Sequence, residues 1–296
     1  MIDERTLLAP WTGYEAEPGT WPGGKTLAFW LAPNIEYYEI DPAPNLVRAP
    51  WPRPCPDLQN WSWRDYGNRV GVWRCLELFD RHGLKGSVSL NSAMCRHFPD
   101  IVQAFVDRGW ELFCHGQYNT RYLFGRSPGE EREDLASACR EIENFCGTRV
   151  RGLLAPALTY TETTLESAAA CGIDYVFDLC MADAVVPLRL PATTLLAIPY
   201  SIELNDFFAV VAGGLSATTY VDRFRTQFDQ LMAESARQAK VVGLPLHPYL
   251  IGMPQYIWAL DRMLAHVRQH DGVWCTRARD IADHVWRQVL PDTSHP

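Results

Sequence analysis

The sequence predicts an α/β protein built as a (β/α) barrel, and three observations carry that prediction. Short apolar runs alternate with amphipathic stretches of helix length over most of the chain. Glycines stand where several of those helices should stop. No GxGxxG or Walker sequence marks an open nucleotide-binding sheet. The 296 residues, 47% of them hydrophobic, suit a single domain over 1–296, because α/β barrels run to roughly 250 residues before extensions are added.

The elements follow in order. Residues 1–25 and 39–64 are rich in Pro and Trp and show neither helical nor strand period, so they read as ordered irregular arms. Trp51, Trp61 and Trp63 in the second arm are costly to leave in water and are expected to cover a site or a subunit interface. Between the arms, KTLAFWLAPN is an apolar run without a helical stripe, the first strand. Further strand candidates are Lys85–Leu90, Trp110–Cys114, Gly152–Leu154, Tyr175–Phe177, Leu195–Pro199, Val241–Leu246 and Val273–Cys275. Each is short and apolar throughout, as strands covered on both faces are. Helices are expected at Tyr66–His82, Pro99–Arg108, Gly129–Cys146, Thr161–Ala170, Ala217–Ala239, Pro254–His270 and Arg277–Val289. Gly83, Gly109, Gly172 and Gly272 are placed to take the left-handed cap that turns a helix into the next strand. Repeated βα order means a parallel sheet with helices outside and chemistry at the carboxyl ends of the strands.

Charge and cysteine usage narrow the partners. A net charge of -8 without a basic run argues against nucleic acid or an anionic membrane and favours a small-molecule substrate. No apolar stretch is long enough to span a bilayer, and the acidic start MIDERTLLAPW is unlike a signal peptide, so a cytoplasmic protein is expected. Nine cysteines without a CxxC pair read as buried reduced thiols rather than disulfides or a thiolate metal site. An acidic barrel with aromatic arms is expected to form a homo-oligomer, a dimer or tetramer.

Polar residues that directly follow the apolar strands form a short set that should converge on one face: Asn34, Glu36, Asn91, His115, Asn119, Asp178, Asp183, Glu203, Asn205, Asp206 and His247. Asn91, Asp178 and Asp183 read equally well as caps or turn residues. His115 in ELFCHGQYNTR and His247 in GLPLHPYLIG each end an apolar strand, where an imidazole would aim into the barrel mouth. Glu36 stands after the first strand, where a carboxylate suits a base, a metal ligand or an orienter of histidine. The other histidines lie on expected helices, helix ends or the tail and need no role.

These stretches together resemble the polysaccharide-deacetylase (NodB-homology) superfamily, and within it the branch of allantoinase-like and cyclic-imide hydrolase-like proteins. The likeness rests on WRDYGNRVGVWRCLELFDRHGLKGSVSLN, RGWELFCHGQYNTR, ERED, GIDYVFD, IPYSIELND, QFDQL, LHPYLIGMPQ and the following LDR. It implies a distorted (β/α) barrel of about seven parallel strands. It also implies a divalent metal, such as zinc or manganese, on a first-strand acid and an H-x-x-x-H pair. Here those positions read Asn34 and Glu36 in NIE, and His115 with Asn119, so any metal would rest on Glu36, His115 and Asn119. A carboxylate, one imidazole and an amide make a poor zinc site, and the expectation leans to none. The family's arginine-proline motif appears as LLAPAL, with Ala155 in place of a charged residue. His247 matches the histidine that serves the family as general acid.

The resulting expectation is a hydrolase of carbon–nitrogen bonds other than peptide bonds, opening a small cyclic amide such as an imide, ureide or hydantoin-like ring. Glu36, His115 and His247 are the catalytic candidates. Trp63 and Tyr118 should cap a flat ring, and Asn34, Asn119, Glu203 and Asn205 should bind its polar edge. The alternatives are a metal-dependent deacetylase of N-acetylated carbohydrate or another linear amide, and a non-catalytic ligand-binding barrel.

Overall fold

The computed structural model describes residues 19–288, so residues 1–18 of the first expected arm lie outside the described residues. Among the described residues, nine strands form one curled sheet: β1 (Leu27–Ile35), β2 (Ser87–Leu90), β3 (Glu111–Cys114), β4 (Gly152–Leu153), β5 (Tyr175–Val176), β6 (Val186–Arg189), β7 (Thr194–Ala197), β8 (Lys240–Leu246) and β9 (Val273–Thr276). Their order is β6-β7-β5-β4-β3-β2-β1-β8, and β9 pairs with β1. Every pairing is parallel except β6 with β7. Eight strands run parallel, in keeping with the expected barrel of about seven, and the antiparallel β6 is the one that the sequence reading did not place. That strand carries Pro187 and is buried at alternate positions only, so it lacks the continuous apolar run of its neighbours.

β1 is the pivot. One edge pairs with β8 along its length, while the other meets β9 near its start and β2 at its end. The sheet is distorted because β8 and β7 do not pair. The gap is bridged instead by Trp30 Nε1 donating to the Pro199 carbonyl at 3.1 Å and by the Gly243 amide donating to Ser201 Oγ at 3.2 Å.

The sheet has two apolar faces, and side-chain parity separates them. On β1, Leu27, Phe29 and Leu31 pack outward under the helices, whereas Ala28, Trp30 and Ala32 face inward. Inside, the rings of Trp30, Phe113 and Phe177 pack tilted and edge-on, with centroids 4.5 to 6.3 Å apart, and fill the barrel's centre. Extending the inward parity beyond three strand ends reaches Glu36 from β1, His115 from β3 and His247 from β8.

Two local expectations need correction. The arm 39–64 is not irregular to its end: Leu58–Tyr66 is helical, capped where Asp57 accepts the Asn60 amide, and runs through a π-helical turn at Gly67–Gly71 into Val72–His82. Its inner face is aromatic and cationic rather than aliphatic, which hid the period. Gly83, Gly109 and Gly172 adopt φ of 62°, 68° and 80°, as expected of caps, but Gly272 does not; its carbonyl instead accepts the Thr26 amide at the entry to β1.

Candidate active site

Glu36 Oε1 lies 3.3 Å from Nε2 of His115 and 3.7 Å from Nε2 of His247, and all three residues are buried. Each imidazole is oriented from behind. His115 Nδ1 contacts the Leu154 carbonyl at 2.8 Å, and His247 Nδ1 contacts Asp206 Oδ1 at 2.6 Å. Carbonyl and carboxylate are acceptors, so both Nδ1 atoms carry hydrogen and both Nε2 atoms are turned to Glu36. The other Glu36 oxygen accepts from the Tyr38 hydroxyl at 2.7 Å, which in turn accepts from Asn119 Nδ2 at 2.6 Å.

The charges suit acid–base work. Burial alone would raise the Glu36 carboxyl, but His247, His115 and Tyr38 together hold it below the ordinary carboxylate range. Burial likewise would lower His247, yet Asp206 and then Glu36 push it above the ordinary imidazole value. The two shifts act in the same sense, favouring a carboxylate at Glu36 and the imidazolium at His247. Asp206 also accepts the His247 amide at 2.8 Å, fixing ring and backbone together.

These groups open into a cavity of about 400 Å³ lined by Glu36, His115, His247, Asn34, Asn119 and Asn205 together with Tyr38, Arg64, Tyr200 and Tyr249. That volume suits one small molecule. The second arm borders its mouth: Arg48 lines the cavity, donates to the Ala157 carbonyl at 3.3 Å and lies 5.1 Å over the Tyr122 ring. Ala157 and Leu158, on the opposite lip, hold φ of 52° and 57°, a left-handed backbone that costs residues with a Cβ about 1 kcal/mol or more each.

Not every expected site residue reaches the cavity. Asn34 lines it but is bound to the wall, donating to the Leu246 carbonyl at 3.2 Å and accepting from Tyr200 at 3.0 Å. Asn205 lines it too, while its Oδ1 accepts the Phe207 amide. Asn119 Oδ1 is buried without a hydrogen-bond partner, an acceptor in reserve. Tyr118 points away, edge-on to Tyr37 and under the guanidinium of Arg121. Glu203 is turned outward to Gln227, and Trp63 stands behind the cavity wall against Tyr249. In each case the loop or helix rotates the side chain off the inward direction. Asn91 is a staple, accepting the Tyr37 amide and donating to the His115 carbonyl, and Asp178 caps the Ala155 amide.

Four site residues escaped the sequence reading. Arg64 sits among the rings of Tyr38, Trp51, Trp63 and Tyr249, 4.8 to 5.6 Å from each, with a buried unpartnered Nε. Tyr38, Tyr249 and Tyr200 line the cavity beside it. A signal was present for Tyr38, which lies two residues beyond Glu36 on the same parity; Tyr249 follows His247 on a short helix, where that parity does not hold.

The donor set does not fit a catalytic zinc. Glu36 Oε2 is taken by Tyr38, its Oε1 is shared between two imidazoles, and Asn119 offers only a neutral amide oxygen. Among the described residues, the one group of three His, Cys, Asp or Glu donors within 4.8 Å of one another is Asp229, His266 and His270, none of which lines this cavity.

Comparison with known proteins finds similarity to the polysaccharide deacetylases and to an allantoinase. A model of the polysaccharide deacetylase family matches residues 64–176. A Schizosaccharomyces pombe protein assigned to the polysaccharide deacetylases is 24% identical, over 98% of this chain and 99% of its own length. The crystal structure of PuuE allantoinase superposes with a TM-score of 0.85 at 26% identity, covering 97% of this chain and 99% of that one. A Pseudomonas aeruginosa structure described as a polysaccharide deacetylase gives 0.81 at 27% identity, with 92% and 95% covered.

Proposed function

Because the chain belongs to the polysaccharide deacetylase family, and is therefore a hydrolase of that superfamily, we propose that it opens a small cyclic amide, an imide or ureide ring, without a catalytic metal. The observation that carries this reading is one carboxylate oxygen set between two imidazoles, each oriented from behind, in a small cavity that Arg48 of the second arm reaches across. A polysaccharide needs an open groove; a pocket of about 400 Å³ bordered by the second arm favours a compact ring.

In the proposed reaction a water held between Glu36 and His115 attacks the ring carbonyl, and Glu36 takes its proton. His115 Nε2 helps to orient the water, and the guanidinium of Arg48 or Arg64 in the cavity lining meets the developing oxyanion, where loss of one donor typically costs on the order of 10² to 10³ in rate. His247 then gives its Nε2 proton to the ring nitrogen as the carbon–nitrogen bond breaks, leaving a carboxylate and an amine or amide on one open chain. The free Asn119 Oδ1 accepts a ring N–H, and Arg64 with Arg48 suits the ring's carbonyl oxygens and the product carboxylate. The likeness to PuuE allantoinase supports the ring-opening class.

The test is hydrolysis of cyclic imides and ureides beside N-acetylated sugars, with wild type, Glu36→Gln and His247→Ala, before and after exhaustive chelation. Ring opening that survives chelation and falls by on the order of 10² to 10⁴ in each variant is expected. Activity on acetylated sugars alone, lost on chelation and restored by zinc, would move the enzyme to the metal-dependent deacetylases that its sequence relatives suggest.

A further inference from the structure

We propose that Asp229, His266 and His270 form a binding site for a divalent transition metal of the zinc class, remote from the catalytic cavity. Asp229 lies near the end of the Ala217–Glu234 helix, which leads into the start of β8, and the two histidines lie at the end of the Ile257–Val267 helix, which leads into the start of β9. The site therefore sits at the amino ends of the strands. The catalytic residues follow their carboxyl ends, the length of β8 away, roughly 20 Å.

The donor set is the one the catalytic cavity lacks. Two imidazoles and a carboxylate supply three strong ligands, with a fourth position left to water, which is the composition of open zinc sites. The histidines are four residues apart in HVRQH: His266 is in the last turn of its helix and His270 stands just past the helix end, with the two ring centroids 4.9 Å apart. His266 Nε2 is 2.6 Å and His270 Nε2 3.9 Å from Asp229 Oδ1, and all three donor atoms lie within 4.8 Å of one another. Around a tetrahedral ion with bonds of about 2.0 to 2.2 Å, donors stand about 3.3 Å apart, so none must move by more than about 1.5 Å.

The surroundings fit a site that fills from solvent. The Phe228 ring packs 5.5 Å from His266 and 5.2 Å from His270, walling the inner side. Outward, the side chains of His270 and Asp229 remain 30% and 51% exposed, which leaves an entry path. A bound ion would tie the two helices together and raise stability by mass action.

The test uses the full chain, stripped of metal, titrated with zinc by calorimetry and with cobalt(II) by visible absorption. One equivalent is expected in wild type and in Glu36→Gln/His115→Ala, with four-coordinate cobalt bands, no thiolate charge-transfer band and a raised Tm. Asp229→Asn/His270→Ala, changed at partly exposed positions, should lose all three signals. No binding by wild type, a thiolate band, or binding that persists in Asp229→Asn/His270→Ala would each overturn the proposal. Binding lost only in Glu36→Gln/His115→Ala would place the ion at the catalytic cavity and also defeat the metal-free reading above.

Discussion

Asp206 touches no part of the cavity surface, yet it decides the protonation of the residue that does. It accepts from both the ring and the backbone amide of His247, and its charge is the largest influence raising that imidazole against burial. The active form needs Glu36 ionised and His247 protonated. The rate should therefore fall on the acid side below the ordinary carboxylate value of about 4.3 and on the alkaline side above the ordinary imidazole value of about 6.5. Asp206→Asn removes the charge, so the alkaline limb of kcat/KM should move to lower pH and kcat should fall by on the order of 10² or more. Stability follows the same sign. The raised His247 contributes below its unfolded pKa and loses that contribution as pH rises through its folded value, whereas the lowered Glu36 contributes above its unfolded pKa and loses it as pH falls. Unfolding of the Asp206→Asn variant should accordingly show a flatter alkaline dependence than wild type. An alkaline limb that stays where it was would remove Asp206 from this role.

At the scale of elements, the π-helical turn at Gly67–Gly71 joins two catalytic strands that are not sequence neighbours. The wider turn presents Asn68, whose amide donates to the Glu36 carbonyl at 3.0 Å, fixing the end of β1. Its glycines let the chain lie directly on the short Pro248–Ile251 helix that follows His247: a Cβ at Gly71 would meet the Pro248 carbonyl oxygen at 2.0 Å, and one at Gly252 would meet the Gly71 Cα at 2.5 Å. These are backbone contacts, so neither side can rotate clear. Gly71→Ala should cost about 1 to 3 kcal/mol by overpacking, lowering Tm by about 2 to 4 °C per kcal/mol in a chain of this size. Because the displaced backbone adjoins His247, kcat should fall as well. Gly129→Ala, at a helix start with open space around it, is the control and should leave both unchanged. A Gly71→Ala protein with wild-type Tm and kcat would show that this contact positions nothing.

Over the whole molecule, the barrel was legible because strands covered on both faces write continuous apolar runs, and the catalytic trio because β1, β3 and β8 each end on an inward step that falls on Glu36, His115 or His247. Tyr118, Glu203 and Trp63 were not legible, since in a loop or on a helix the period of two no longer says where a side chain points. Arg64 was hidden for a related reason: its helix packs with aromatic rings around a guanidinium, a pattern without an apolar stripe. The bordering of the mouth was equally invisible, because it depends on one arginine of the second arm reaching a carbonyl more than a hundred residues away in sequence. That contact can be tested alone. Arg48 is exposed and its side chain meets Tyr122 and the Ala157 carbonyl at the surface, so Arg48→Ala should leave Tm almost unchanged, within about 0.5 kcal/mol of wild-type stability. The substitution removes a charged donor and admits water, so KM for a ring substrate should rise about tenfold, the equivalent of one hydrogen bond to a charged group, with kcat largely kept. The same variant should admit bulkier amides that wild type excludes. A KM unaltered by the substitution, with no widening of the substrate range, would mean that the arm borders the cavity without governing what enters it.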